Sequence, residues 1–400
     1  MKRIVLAVAA MVVGAALCWS QNNVVSPPPS DAKPASTNAP GREYPKVDSQ
    51  GRATFHVYAP DAKMVRVFNT DLTKGADGYW TGTTRPLDPG FHYYTITIDG
   101  ASAADPNSQG FFGAGTVRSG IEIPDPGVDF YDLKDVPHGE IRSRWYTTAS
   151  GEIRQAFVYT PSGYEQNTRT RYPVLYLQHG MGEDRRAWPT QGRANLILDN
   201  LIAEKKAVPM IVVMEDGGIT PGPGGARGGT GRGAAPAAGG QPAGGARGGG
   251  GAGRGLPPMA FVTAVVDDVV PMIDKTYRTI PDREHRAMAG LSLGGTQTYQ
   301  ITQANLDKFA YIGIFSAPFG FPGVETGYDG LLKKPDEFAK RVRLFYVSMG
   351  SKEGATTGSS VHDELEKAGI KHVYYESPGT AHEFQTWRRS LHGFAAQLFK

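Results

Sequence analysis

Cysteine is almost absent. The 400-residue chain has one, Cys18, at the end of an apolar stretch near its N-terminus. Lys2 and Arg3 precede that stretch, which runs from Ile4 to Leu17. It has the length of a signal-peptide core and is too short for a comfortable membrane span. Residues 1–20 are therefore expected to be a signal peptide cleaved after Ser20. A secreted or periplasmic bacterial location, without stable membrane insertion after cleavage, follows as an expectation. The mature protein then holds no thiol, which excludes disulfides, thiolate catalysis and cysteine-ligated metals. Export without disulfides is compatible with a bacterial periplasm or exterior.

An excess of charge of one sign is missing too. The formal charge is +3, and without Lys2 and Arg3 there remain 40 basic and 39 acidic residues, hence +1. Four of those basic residues (Arg227, Arg232, Arg247 and Arg254) lie in one low-complexity insert, which leaves a charge of −3 on the rest. Nucleic-acid binding usually needs a concentrated basic surface, so no such partner is expected. The glycine-rich insert lacks the Gly-Lys-Ser/Thr ending of a phosphate-binding loop. Asp267 and Asp268 are adjacent and on a helix do not share a face. Neither a metal nor a cofactor is expected.

What is present changes character along the chain. Residues 21–44, rich in Pro, Ser, Asn and Ala, read as a disordered spacer. From 45 to 125 the pattern is short strands: Thr54–Tyr58 and Met64–Phe68 alternate, and Phe91–Ile98 follows the turn Asp88-Pro89-Gly90. Such spacing without a helix suggests a small all-β, immunoglobulin-like sandwich. Residues 126–400 read as a second domain. Strand candidates there (Gln155–Tyr159, Val174–Gln178, Met210–Met214, Arg286–Ala289, Tyr311–Phe315, Arg343–Ser348, Val373–Tyr375) alternate with helix candidates. The helices are Ala194–Lys206, Phe261–Tyr277, Thr296–Asn305, Ser360–Ala368 and Phe384–Phe399. The alternation predicts an α/β fold, a mainly parallel sheet with helices on both faces. Such sheets carry their chemistry at the carboxyl ends of strands. Residues 217–258, nineteen glycines in 42 residues, interrupt the pattern as a surface loop, either a flap or a tolerated expansion.

Gly290-Leu291-Ser292-Leu293-Gly294 fits the G-x-S-x-G nucleophile elbow, in which a serine sits on a strained strand-to-helix turn. A strand candidate precedes it and a helical segment follows, which is the context the motif requires. A serine hydroxyl needs a base to take its proton. Of the four histidines after Ser292, His362 and His392 fall in helices and His372 opens the last strand at its amino end. His382 follows that strand, where a base belongs. An acid should orient the imidazole from the loop after Arg343–Ser348, and that loop offers Glu353. Asp363 and Glu364 come later, on a helix. The oxyanion of the tetrahedral intermediate needs two N–H donors. Leu293, directly after the nucleophile, supplies one. Met181, in the turn His179-Gly180-Met181-Gly182, is the candidate for the other, with His179 shaping that loop.

These pieces resemble the esterase D-like α/β-hydrolases, a group that includes carbohydrate esterase family 1 and the enterochelin esterases. The stretches that carry the resemblance are Tyr172–Gly180, Trp188, Arg193–Asn200, Arg286–Gly295 and His382-Glu383-Phe384 with Trp387. It runs over roughly 138–400, broken only by the insert. It implies ester hydrolysis through Ser292, Glu353 and His382, an oxyanion hole at Met181 and Leu293, and Gly180 and Trp188 at the substrate. Many relatives have aspartate at the acid position, so Glu353 departs from the pattern. Gly51–Pro60, Val65-Arg66-Val67 and Asp105-Pro106 resemble a family-48 carbohydrate-binding-like sandwich. Its Tyr79, Trp80, Tyr93 and Tyr94 are candidates for stacking on sugars or for core and interdomain packing. The pairing resembles feruloyl esterases first and acetyl xylan esterases second, so a carbohydrate-linked ester is the expected substrate. Siderophore esterase, acyltransferase to a sugar acceptor, and glycan-binding protein with a silent esterase domain are the alternatives.

Overall fold

The computed structural model describes residues 27–217, 263–317, 321, 323–354 and 358–400. The leader with its cleavage point, residues 21–26 of the spacer and nearly all of the glycine-rich insert lie outside the described residues. No described helix is long and apolar enough to cross a membrane.

One eight-stranded sheet organises the C-terminal two thirds. Its spatial order is Glu140–Thr147, Ile153–Thr160, Ile211–Glu215, Val174–Gln178, Arg286–Leu291, Tyr311–Phe315, Leu344–Gly350 and Val373–Ser377. The first two pairings are antiparallel and the other five parallel. Strands covered on both faces need apolar side chains in both directions. Every residue of Val174–Gln178, Ile211–Glu215 and Arg286–Leu291 is accordingly buried. Successive side chains point to opposite faces. Leu175, Leu177, Val212, Met214, Ala287 and Ala289 pack on one side with the helices Ala194–Ala203 and Phe384–Ala395. Val174, Tyr176, Ile211, Val213 and Met288 pack on the other with Val265–Thr276. Burying one such aliphatic side chain contributes roughly 1.5–3 kcal/mol.

That last segment begins as a π-helix, Val265–Val269, and continues as an α-helix from Val270. Pro271 explains the irregularity, because it has no N–H for the regular ladder.

The N-terminal strands form three small antiparallel sheets, of five, four and three strands. Phe55, Val57, Val65, Val67, Trp80, Tyr94, Ile96, Ile121 and Ile123 fill a core between them. The expected spacer needs correction over its latter part. Lys33–Pro34 is an edge strand paired with Lys46–Val47, and Ala35 is buried. Proline is compatible with an edge position, where its missing N–H is not needed for the ladder. Asp31 accepts from Ser49 N–H at 3.0 Å, and Asn38 Nδ2 donates to the Pro45 carbonyl at 3.1 Å. Such polar tethers hold a segment whose composition alone reads as unstructured.

Helix Phe384–Ala395 ties these strands to the large sheet. Phe91 and Phe111 belong to the same apolar cluster as Phe384, Leu391 and Phe394. The fully buried Arg388 guanidinium makes two bonds, 2.6 and 2.9 Å, to the Glu122 carboxylate. Burial would raise the Glu122 pKa, but the charge and hydrogen bonds of Arg388 together with the Arg193 charge outweigh it and hold the carboxyl below its ordinary value.

Candidate active site

Four parallel strands end on the same edge and deliver the site. Gln178 pairs with Gly290, and Gly350 pairs with Ser377. The loops after these strands therefore start side by side.

Ser292 stands between the strand Arg286–Leu291 and the helix Leu293–Ala304. Its φ of 51° and ψ of −118° fall outside the regions an L-residue ordinarily adopts. The turn is held by the Ser292 N–H, which donates to the Phe315 carbonyl at 2.8 Å. A side chain at Gly294 would collide with the backbone carbonyls of Gln178 and His179, so only glycine lets the elbow lie this close to the neighbouring loop.

His382 and Glu353 complete a relay. His382 Nε2 is 2.9 Å from Ser292 Oγ, and His382 Nδ1 is 2.9 Å from Glu353 Oε2. A carboxylate only accepts, so in the neutral imidazole Nδ1–H donates to Glu353 and Nε2 accepts from the serine hydroxyl. Glu353 Oε1 accepts from Ser316 Oγ and Gly350 N–H, both at 2.7 Å. Burial alone would raise the Glu353 pKa. The bonds from His382, Ser316 and Gly350 outweigh it and hold the carboxyl below its usual range. Trp387 packs edge-on against the imidazole, with ring centres 5.1 Å apart.

Gly180 lies against the serine. A Cβ built on Gly180 would be 3.5 Å from Ser292 Cβ. The Gly180 peptide is engaged on both sides: its N–H donates to Glu183 Oε2 at 3.0 Å, and its carbonyl is 2.8 Å from His179 Nδ1. Met181 follows, with its side chain 72% exposed and no described partner for its N–H. Leu293 opens its helix, where the first N–H groups have no partner within the helix. Both N–H groups expected to serve an oxyanion are thus uncommitted among the described residues. His179 is buried, which lowers its pKa, and it shapes the loop.

Trp188 requires correction. It is 1% exposed, and its Nε1–H donates to the Gln178 carbonyl at 2.8 Å. It is a core residue beneath the site rather than part of a substrate surface. The other histidines sit away from the relay: His362 Nδ1 and His372 Nε2 bond each other at 2.9 Å, and His392 packs on Phe130. Asp363 is exposed, and Glu364 accepts from Val324 N–H.

Sequence reasoning names neither Ser316 nor Glu183, and it offers Tyr93 only for stacking on sugars or for core and interdomain packing. Ser316 directly follows the strand beside the nucleophile strand, a position that the carboxyl-end rule marks. Glu183 lies three residues after Gly180, within the glycine-bearing turn. Tyr93 comes from the N-terminal strands, and no local signal links it to the site. Its hydroxyl lies 3.4 Å from Glu183 Oε1. Of the other three aromatic candidates there, Trp80 and Tyr94 are buried in their own core.

An Esterase family model matches residues 147–398. The chain is 40% identical over 386 residues to an endo-1,4-beta-xylanase/feruloyl esterase of Xylanibacter ruminicola, covering 93% of this chain and 48% of that one. It thus spans about half the length of that relative. An esterase of Mycobacterium tuberculosis is 25% identical over 384 residues, 78% of this chain and 76% of its own. Among solved structures, a ferulic acid esterase of Anaeromyces mucronatus in complex with ferulic acid has a TM-score of 0.50 at 21% identity. It covers 68% of this chain and 96% of that one. The enterochelin esterase of Shigella flexneri has a TM-score of 0.61 at 16% identity, over 87% of this chain and 92% of that one. At such identities the shared property is the fold.

Proposed function

On the premise that this chain belongs to the Esterase family and is a carboxylic ester hydrolase, we propose that it cleaves feruloyl esters of plant polysaccharide through Ser292, His382 and Glu353. The observation that carries the mechanism is the pair of 2.9 Å contacts joining the three side chains. The 40% identity to a xylanase/feruloyl esterase supports the acyl group.

Ser292 Oγ attacks the ester carbonyl while His382 Nε2 takes its proton. The carbonyl π electrons move to oxygen, and the oxyanion is received by the N–H groups of Met181 and Leu293. The positive end of the helix that Leu293 opens adds to this stabilisation. Glu353 holds the imidazole in the required tautomer and stabilises its protonated form. As the tetrahedral intermediate collapses, the sugar hydroxyl leaves with the proton from His382, and the feruloyl group stays on Ser292. Water then attacks the acyl-enzyme with His382 again as base, releasing ferulate and restoring the serine.

The two-domain division, with the N-terminal strands as a carbohydrate-binding-like sandwich, belongs to the same reading, as does export. N-terminal sequencing of the secreted protein should begin at Gln21. The main test is hydrolysis of methyl ferulate by the mature protein beside Ser292→Ala. The variant should lose several orders of magnitude in turnover while keeping its fold. Activity near wild type in the variant would remove Ser292 from the mechanism. A serine-dependent enzyme that hydrolyses small acetyl esters but not methyl ferulate would transfer the acyl assignment to acetyl xylan.

A further inference from the structure

The N-terminal strands meet the large sheet beside the loop that follows Val174–Gln178. Two contacts join them there. The turn Ala114–Gly115, between the strands Gly110–Gly113 and Thr116–Ile123, sits on Gly182, and Gly115 N–H donates to the Gly182 carbonyl at 2.8 Å. Gly182 has a φ of +75°, and a Cβ there would stand 2.8 Å from Ala114 Cα, so the loop and the turn touch through backbone. Tyr93 reaches the next residue: its hydroxyl lies 3.1 Å from the Phe112 carbonyl and 3.4 Å from Glu183 Oε1, and it accepts from Gln191 Nε2. Gln191 Nε2 also donates to the Phe112 carbonyl at 2.9 Å, which closes a small network across the junction.

Glu183 transmits this anchoring to the serine. Its other oxygen accepts the Gly180 N–H, and its own N–H donates to the Gly180 carbonyl at 3.3 Å. Gly180 is therefore not available as an oxyanion donor. The next N–H in the chain is that of Met181. Its direction is set by the Gly180 peptide on one side and by the clasped Gly182 on the other. A donor aimed at the oxyanion matters only when charge develops, so its misplacement is felt in the transition state more than in substrate binding.

We propose that the N-terminal strands act in catalysis as the fixed wall of the oxyanion loop: the Ala114–Gly115 turn and Tyr93 clasp Gly182 and Glu183, and Glu183 is the positioning residue that presents the Met181 N–H to the ester bound at Ser292. The inference rests on the proposed roles of Ser292 and Met181, but not on the acyl group. It assigns the N-terminal strands a part in turnover that is separate from any glycan binding.

The test uses the full mature protein and p-nitrophenyl acetate, a small ester that bypasses substrate selectivity. Glu183→Ala should lower kcat about 10- to 100-fold with KM within about twofold, a smaller loss than removal of a whole donor. Glu183→Gln keeps an oxygen for the Gly180 N–H and should recover most of that loss. Tyr93→Phe removes only the hydroxyl and should lower kcat several-fold with KM unchanged, and it keeps the inference testable should Glu183→Ala fail to fold. Wild-type kcat in folded Tyr93→Phe and Glu183→Ala would overturn the proposal, as would a loss confined to KM. Glu183→Gln as impaired as Glu183→Ala would also overturn it, because the charge rather than the acceptor geometry would then be at work. Ser292→Ala separates the two levels. If it stays active, the underlying mechanism fails. If it is inactive while the clasp variants behave as wild type, only the clasp fails.

Discussion

Ser292 holds a strained backbone, and two kinds of neighbour keep it there: backbone hydrogen bonding to Phe315 and the side-chain-free approach at Gly294. The side chains around it carry separable roles. Glu353→Gln keeps the size and one acceptor but removes the charge that stabilises a protonated His382. Under the proposed mechanism kcat should fall on the order of 10²–10⁴-fold with KM little changed, as measured in steady state with methyl ferulate. A loss in KM alone would mean that Glu353 serves the substrate instead. Glu183 gives a prediction about pH. Burial raises its carboxyl from 4.5 to about 7, against the bonds from Gly180 and Tyr93. A carboxyl raised on folding favours the folded state most when both states are protonated. That advantage shrinks as pH rises from about 4.5 to about 7 and is gone above it. Glutamine is the neutral isostere of the protonated form. Urea unfolding at pH 5 and pH 8 should therefore show Glu183→Gln gaining on wild type as pH rises, by up to about 3 kcal/mol. An equal gap at both values would mean that the carboxyl titrates normally.

Elements differed in how well their residues announced them. Central strands such as Val174–Gln178 are apolar up to their last residue because both faces are buried, and that run is visible without a structure. So is the elbow, because glycine at two fixed positions is demanded by backbone contact. The strand Glu140–Thr147 was not visible. It is an edge strand with six of its eight residues exposed, and Ile141 and Trp145, opposite the charged face of Glu140, Arg142 and Arg144, are exposed as well, so no buried apolar stripe marks it. Its pairing from Glu140↔Thr160 to Thr147↔Ile153 supplies what its side chains do not. Trp188 was misread for the opposite reason: a tryptophan close to a catalytic loop has the same letters whether it lines the pocket or supports it. Helix Phe384–Ala395 joins the N-terminal strands to the sheet, with Arg388 bonded to Glu122. Glu122→Ala should leave that guanidinium buried without its carboxylate, and loss of one partner of a buried pair costs about 3–5 kcal/mol. The double replacement Glu122→Leu with Arg388→Met should lose less, as read by urea denaturation. Equal losses would mean that packing, not the unpaired charge, sets the penalty.

At the scale of the whole molecule, the N-terminal strands and the large sheet share a core. Phe91 meets Phe384 edge to face at 5.9 Å, and both belong to the cluster that holds Leu175, Leu177 and Phe315. Arg389 bonds Asp125 at 2.8 Å, and Lys352, next to Glu353, pairs with Asp88 at 2.8 Å. The surface pair adds little stability, since exposed ion pairs contribute at most about 1 kcal/mol. The shared aromatic core is the stronger coupling. Two bodies joined through a common core unfold together, because exposing either one strips apolar cover from the other. Calorimetry of the mature protein should accordingly give one transition, with a calorimetric enthalpy equal to the van't Hoff enthalpy. Glu122→Ala should move that single transition to lower temperature without splitting it. Two resolved peaks in the wild type would mean that the N-terminal strands melt alone. The clasp on Gly182 and Glu183 would then open below the temperature at which the sheet unfolds, and turnover should fall along the first peak.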